Sequence, residues 1–526
     1  MIKFFKRNSN WIYITVLILL SCYLFLFNLG GSSLNPWDEG IYTLISNQVI
    51  EKGGLSLYLN DTLWYEKPPL GFWIQALSIK LFGLNEIAVR IPSSLYLVIT
   101  SFVLYLFCRE LFKNKHLAFL TSFLIITSPL LLHQHFSRSG DLDSGFLLLA
   151  VTAFYFLLRS KQNAKFFLLS GIMAGLAFMF RGTIAIFIPL ISVLYLFFTK
   201  EWKTHKLKEY VYYILSLIAI ILPWHIHQLI VHGQVFIDIY IKEQFLSRIS
   251  APIQNHTGSW DFYFIYLQRK IGLLYYAFWP AYLLGLYQSI VHRKKDWYLP
   301  ILWITTFFAA LIVIQTKINW YLIFLIPVFY ILFVKTTQIL IKSKKSLWIT
   351  LFNSYLIILW LFYKPVNIFH FDLKTRIMTL VIICCLCLLA YIIFRKKTVN
   401  NLALKSFFII FFVIIQLLLF YNDYKFIHKL VISDTERIAN YIDSNFDSNN
   451  DIQVYKTLNW YNGWIMPDAK YYLELKGGQD TTLNNELFDP SSAFVITNKK
   501  EAAEIQNSYP FHKITNYNDL ILLQHD

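Results

Sequence analysis

Long apolar runs without a single formal charge dominate this chain. They occupy 11–29, 91–108, 117–132, 144–158, 166–180, 183–199, 210–230, 271–291, 298–316, 318–334, 347–363, 377–394 and 406–421, thirteen in all, and none contains Lys, Arg, Asp or Glu. A water-soluble core breaks such runs with a polar face, whereas a bilayer demands them. Several are shorter than the ~20 residues a span needs, so their ends must extend into flanking polar residues. The predicted architecture is an all-α polytopic membrane protein with about thirteen transmembrane helices. The first run follows Lys3, Lys6 and Arg7 and lacks a small-residue cleavage site, which reads as an uncleaved first helix.

The formal net charge of +16 would point to nucleic acid in a soluble protein. Here it is unevenly placed: residues 422–526 carry −6, so the rest of the chain carries +22. The positive charge belongs to the membrane part, where short basic loops orient helices, and no nucleic-acid partner is implied. Cys22, Cys108, Cys384, Cys385 and Cys387 lie in or at the ends of apolar runs without metal-ligand spacing.

Charge also settles an ambiguous stretch, Pro69–Leu84, which is apolar but carries Gln75 and Lys80. If it does not span, the loops 1–10, 109–116, 159–165, 200–209, 292–297, 335–346 and 395–405 share the cytoplasmic side. Counted beyond Arg90, that side then holds 21 Lys/Arg against 10 on the other. If it spans, every later loop violates the positive-inside rule. Pro69–Leu84 is therefore expected along the membrane surface as an amphipathic helix. This places 30–89, 133–143, Arg181, the loop 231–270, 315–319 and the C-terminal region on one outer face. The chain divides into a transmembrane region, 1–421, and a small extracytoplasmic α/β domain, 422–526. In the latter 451–457 reads as a strand, 492–505 as strand then helix, and 512–524 as β-rich.

The first outer loop holds the most chemistry. It contains Asn35-Pro36-Trp37-Asp38-Glu39, then Tyr42, then Trp64-Tyr65-Glu66-Lys67-Pro68-Pro69. An acidic pair at a helix mouth can supply a base or a metal ligand, and a Lys ahead of two prolines presents a fixed charge at headgroup level. The same residues also suit a helix cap (Asp38) and a snorkelling anchor (Lys67). Likewise Asp141 and Asp143 suit caps for a helix beginning near Ser144, and Arg138 and Arg181 suit headgroup anchors. His225 and His227 read as buried imidazoles, while His133, His135, His232 and His256 lack metal-ligand spacing.

The segments NPWDEGIY, WYEKPPLGFWIQALSIKLFG and NEIAVRIPSSL resemble the first-loop signature of the bacterial aminoarabinose transferase and protein O-mannosyltransferase family. Those are GT-C glycosyltransferases that use polyprenyl-phosphate sugars. The likeness runs more loosely to about residue 335. It covers Arg138–Asp143, Arg181-Gly182, Pro223-Trp224 and Lys317 with Tyr321 and Pro327. Ile41 stands where aminoarabinose transferases often carry Arg, and Arg181 where the family carries Lys.

The resemblance implies a GT-C fold and inverting transfer from a polyprenyl-phosphate sugar to a hydroxyl or phosphate of protein, lipid A or another envelope glycan. It implies Asp38 as base with Glu39 beside it and Asp143 as further acidic site residue. Lys67, Arg138, Arg181, Lys317 and Tyr321 would bind the donor phosphate, and Tyr42, Tyr65, Glu66 and Asp141 would position substrate. The chemistry is coherent: a phosphate leaving group needs cations more than a general acid, and an acceptor hydroxyl needs a carboxylate. Two nearby carboxylates would serve a divalent metal equally well, so metal use stays open. The alternative is a polytopic transporter or lipid flippase, but such proteins place ionisable groups at the bilayer midplane, and these runs carry none.

Overall fold

The computed structural model describes residues 2–132, 137–247, 256–271 and 273–342, isolated helical positions between 354 and 421, and 432–446, 451–458, 465–476, 479–484 and 488–526. The expected spans 347–363 and 377–394 and the loops 364–376 and 395–405 lie mostly or wholly outside the described residues, as does half of the span 406–421. His133 and His135 also lie outside them.

Five described helices are long and apolar enough to cross a membrane: Glu86–Phe112, Lys165–Phe198, Leu207–Gln244, Lys295–Val313 and Asn319–Leu340. The chain is a mostly helical, multi-pass membrane protein. Local chemistry starts and stops these helices as the sequence suggests. The Asn85 side chain accepts from the Ala88 amide, and Asn114 accepts from those of His116 and Leu117. The expected spans 166–180 and 183–199 appear as one run interrupted at Gly182, whose φ of 63° opens a 3-10 turn over Gly182–Ile186. The region expected as a loop at 231–270 is substantially helical instead. Helix Leu207–Phe236 runs on with a kink at Gly233 (φ 48°, ψ −117°), continues as a π-helix over Ile237–Ser247, and helix Phe262–Ile271 follows. Val231, Val235 and Phe236 prolong the apolar pattern past the point where polar residues first appear.

Helix Leu70–Phe82 has 13 residues, ~20 Å at 1.5 Å each, against the ~30 Å of a hydrocarbon core. It buries Phe72, Gln75 and Ile79 and exposes Leu77, Leu81 and Phe82, as a helix lying on a membrane surface would.

The basic loops converge at one end of the bundle. Arg159 approaches Glu110 at 3.6 Å, Gln162 donates to Glu110 at 3.1 Å, Lys161 pairs with Glu201, and Tyr13 bonds His116. The residues singled out for chemistry gather at the other end.

At the C-terminus five strands form a sheet, β3 (Asp451–Tyr455), β4 (Asp480–Asn484), β5 (Phe494–Asn498), β6 (Phe511–Tyr517) and β7 (Leu520–His525), in the order β4-β3-β5-β7-β6. A short hairpin in the first loop, β1 (Tyr58–Leu59) with β2 (Thr62–Leu63), precedes them. β3 is parallel to both neighbours and β7 antiparallel to both of its own. Helices Asp434–Asn445 and Lys499–Ser508 accompany the sheet. This unit shares an apolar core with the first loop: Leu34, Ile79 and Val89 pack with Ile438, Ile442 and Tyr472.

Asp468 lies buried at that junction, and burial pushes its carboxyl up to about 6. A carboxyl whose native pKa is raised from 3.8 gives stability that is full below pH ~4 and lost as pH rises through ~6. The shift is about two units at ~1.4 kcal/mol each. Asp468→Asn should therefore match the parent's thermal stability near pH 4 and exceed it by up to ~3 kcal/mol above pH 6.5, measured as the difference between melting profiles. A constant difference across that range would contradict the assignment.

Candidate active site

Helix Asp38–Lys52 begins the site. Its N-cap is Trp37, held at φ 74° and ψ −121°, whose side chain makes no capping hydrogen bond. Asp38 is the first residue of this helix. Its Oδ2 accepts from the Tyr42 hydroxyl at 3.0 Å, one turn on. The Lys67 ammonium stands 3.9 Å from the same oxygen, donates to the Tyr42 hydroxyl, and lies 4.4 Å from the Tyr42 ring centroid. Asp38 and Lys67 keep 22% and 15% of their side-chain surface exposed, so a substrate can reach both.

Glu39, the adjacent acid, is in a different state. Its Oε1 accepts from Arg90 Nε at 2.7 Å and from the Gly140 amide at 2.8 Å. Its Oε2 accepts from Arg90 Nη2 at 3.0 Å and from the Asn35 amide and side chain at 2.6 and 2.8 Å. Both partners of the Glu39–Arg90 pair are about 1% exposed. Arg90 spends its remaining donors on the carbonyls of Leu29, Ser32 and Ser33. Glu39 thus ties the first loop to helix 86–112 and to the second outer loop. Gln75 adds to this seam by donating to the carbonyls of Val89 and Gly140, both at 3.1 Å.

Asp143 is the first residue of the helix Asp143–Arg159 and pairs with Arg181, Oδ1 to Nη2 3.0 Å, both nearly fully buried. The break after Arg181 brings Gly182 beside Pro68: a Cβ there would stand 3.4 Å from the Pro68 ring and from the Tyr240 hydroxyl. The Arg181 turn therefore packs directly behind Lys67-Pro68. Asp141 is buried and accepts from Ser139 at 2.5 Å.

The other predicted residues sit further out. Tyr65 is buried, donates to Gln228 at 2.8 Å, and has its phenol pushed up to about 12 by burial. Glu66 and Tyr321 are half-buried. Arg138, at φ 57°, donates to the carbonyls of Phe27 and Asn28 at 2.5 and 2.8 Å. Lys317 donates to the carbonyls of Leu311 and Ile312 at 2.9 and 2.8 Å, closing helix Lys295–Val313, and burial pulls its ammonium pKa down. Both cations donate to carbonyls near helix ends. Among the described residues no three His, Cys, Asp or Glu side chains gather as a metal site.

Sequence reasoning passed over Arg90, Gln75 and Gly140. The signal for Arg90 was present: a cation at the head of an apolar run needs a buried counter-ion.

A family model described as dolichyl-phosphate-mannose-protein mannosyltransferase matches residues 66–227. The chain is 27% identical to the undecaprenyl phosphate-alpha-4-amino-4-deoxy-L-arabinose arabinosyl transferase of Wigglesworthia glossinidia brevipalpis, over 65% of this chain and 61% of that protein. It is 24% identical to an uncharacterised Aquifex aeolicus protein, over 57% of this chain and 58% of that one. Both matches span less than two thirds of the relative's length. In fold, the chain matches ArnT from Cupriavidus metallidurans bound to undecaprenyl phosphate with a TM-score of 0.66, 14% identity and 98% of each chain covered. It also matches the archaeal oligosaccharyltransferase AglB from Archaeoglobus fulgidus, solved with an inhibitory peptide and a dolichol-phosphate, at 0.54 and 12% identity, covering 95% of this chain and 70% of that one. The resemblance to GT-C glycosyltransferases of the aminoarabinose transferase and protein O-mannosyltransferase type, read from the first loop, is borne out.

Proposed function

We propose that this GT-C-type chain moves a sugar from a polyprenyl-phosphate donor to a hydroxyl or phosphate acceptor at the outer face of the cytoplasmic membrane, with inversion at the anomeric carbon. The observation that carries the reading is the Asp38–Tyr42–Lys67 group: a reachable carboxylate beside a reachable ammonium, at the head of the first-loop helix. The Wigglesworthia relative named above is a transferase by name, which favours transfer over transport.

In this mechanism the donor's lipid tail stays in the bilayer and its phosphate reaches the loop. Lys67 binds the phosphate and offsets the charge it gains as the glycosidic bond breaks. Asp38 accepts the acceptor's proton as the new bond forms, and Tyr42 orients that carboxylate. Arg181, held by Asp143 behind Lys67, adds positive potential on the phosphate side. We assign Glu39 and Asp143 to holding Arg90 and Arg181, although both stood as direct participants in the reading from sequence. About thirteen spans, a cytoplasmic N-terminus and an extracytoplasmic C-terminal unit complete the proposal, with protein, lipid A or another envelope glycan as acceptor.

Lys67→Ala should raise the donor KM. A lost charge-assisted hydrogen bond is worth ~1.5–3 kcal/mol, or roughly 10- to 150-fold. Unchanged donor binding and rate would leave Lys67 a surface anchor. Mass spectrometry of envelope lipids, glycans and proteins from cells with and without the chain tests the function itself. A sugar missing from one class identifies the acceptor; no difference in any class would oppose transfer.

A further inference from the structure

Gly40, two residues beyond Asp38, has no room for a side chain. A Cβ there would lie 2.9 Å from the Asp468 amide nitrogen and from Pro467 Cβ, and 3.0 Å from the Pro467 carbonyl carbon. Two of these three atoms are backbone, so they cannot swing aside. The C-terminal unit thus seats the main chain of Pro467–Lys470 directly on the first turn of the helix that carries Asp38.

This contact belongs to a continuous seam. The Leu34 amide donates to the Tyr472 hydroxyl at 2.8 Å. Ser33 Oγ accepts from the Ser433 amide at 2.7 Å and donates to Glu436, entering the capped first turn of helix Asp434–Asn445. Lys476 pairs with Glu86 at 2.8 Å. Within the seam the Asp468 carboxyl is buried, and its Oδ1 has no hydrogen-bond partner among the described residues. A buried carboxylate oxygen without a partner is costly, so this seam holds Asp468 at some expense of stability.

We propose that the 466–476 segment of the C-terminal unit is a positioning element for the transfer reaction. It clamps the first turn of helix Asp38–Lys52 at Gly40, one residue and about 100° round the helix from the Glu39–Arg90 pin, and so fixes the Asp38 carboxylate against Tyr42 and Lys67. This rests on the proposed role of Asp38 in catalysis. Held through Glu39 alone, the turn could rock about that side chain, and the base would lose its aim at the acceptor. The phosphate-side cation, Lys67, hangs from the separate Pro68-Pro69 turn, so donor binding should be spared.

The test is Gly40→Ala in the full-length protein, with Asp38→Asn alongside. Ala forms helix better than Gly, so in a free loop the change would steady this turn. Against the clamp it must push the 467–468 backbone away. The expected result is a kcat at least tenfold lower with a donor KM within about threefold of the parent. Hydrogen exchange should speed at least tenfold at the amides of Asn35 and Ile41, which close this turn through Glu39 Oε2 and the Trp37 carbonyl. Parent-like exchange at those amides overturns the clamp whatever the activity, and so does fast exchange with an unchanged kcat. A parent protein that transfers no sugar would instead defeat the proposed function, while the exchange data still decide whether the C-terminal unit holds the turn.

Discussion

Asp38→Asn should lower turnover by ~10²–10⁴-fold, the usual contribution of a general base, while leaving folding and donor binding intact. Asn preserves the side chain's size and can still accept the Tyr42 hydroxyl bond at 3.0 Å. What it loses is the ability to take a proton. The helix start should tolerate the change, since Asn serves a helix N-terminus about as well as Asp. The measurement is kcat on purified protein with a saturating donor, paired with a melting curve. A folded variant that transfers sugar near the parent rate would remove Asp38 from the chemistry.

The neighbouring residue should behave in the opposite way. Glu39→Ala leaves the Arg90 guanidinium buried at about 1% exposure and without its carboxylate partner. Breaking such a pair costs about 3–5 kcal/mol, against a total stability of ~5–15 kcal/mol for a typical domain. The variant should melt far below the parent or fail to accumulate, and Arg90→Ala should do likewise by stranding Glu39. Glu39→Gln should fall between, since an amide keeps one acceptor oxygen for Arg90 but cannot serve its other donors. Two adjacent acids would then separate cleanly, one losing rate without stability and the other losing stability first. Glu39→Ala with the parent's melting point would mean that the pair does not hold the loop.

The contrast between these two acids shows where sequence reading succeeds and where it stops. Asp38 and Lys67 were visible because the turn residues around them, two prolines and a helix start, fix their placement locally. Glu39 read as half of a two-carboxylate site because its partner lies 51 positions away, at Arg90. Arg138 and Lys317 were expected on the donor phosphate, and each donates to carbonyls near a helix end, a use that local sequence did not reveal. Most of the helices follow directly from apolar runs, and the C-terminal elements that were expected fall within a few residues of their places, 451–455 against 451–457 and 494–498 followed by 499–508 against 492–505, whereas strand Asp480–Asn484 and helix Asp434–Asn445 were not expected. Long-range packing was not legible. Ser33, Gly40 and Tyr472 are ordinary residues singly, and only the fold makes them one seam.

The central claim is that the chain breaks the bond between a sugar and a polyprenyl phosphate and passes the sugar on. The direct measurement is release of polyprenyl phosphate from a panel of undecaprenyl-phosphate sugars by the purified protein in lipid, with envelope extract as acceptor source. The account predicts that at least one donor is consumed, that its sugar appears on an acceptor with the anomeric configuration inverted, and that Asp38→Asn abolishes both. Release that proceeds equally well in Asp38→Asn, or a product that retains the donor's configuration, would contradict it.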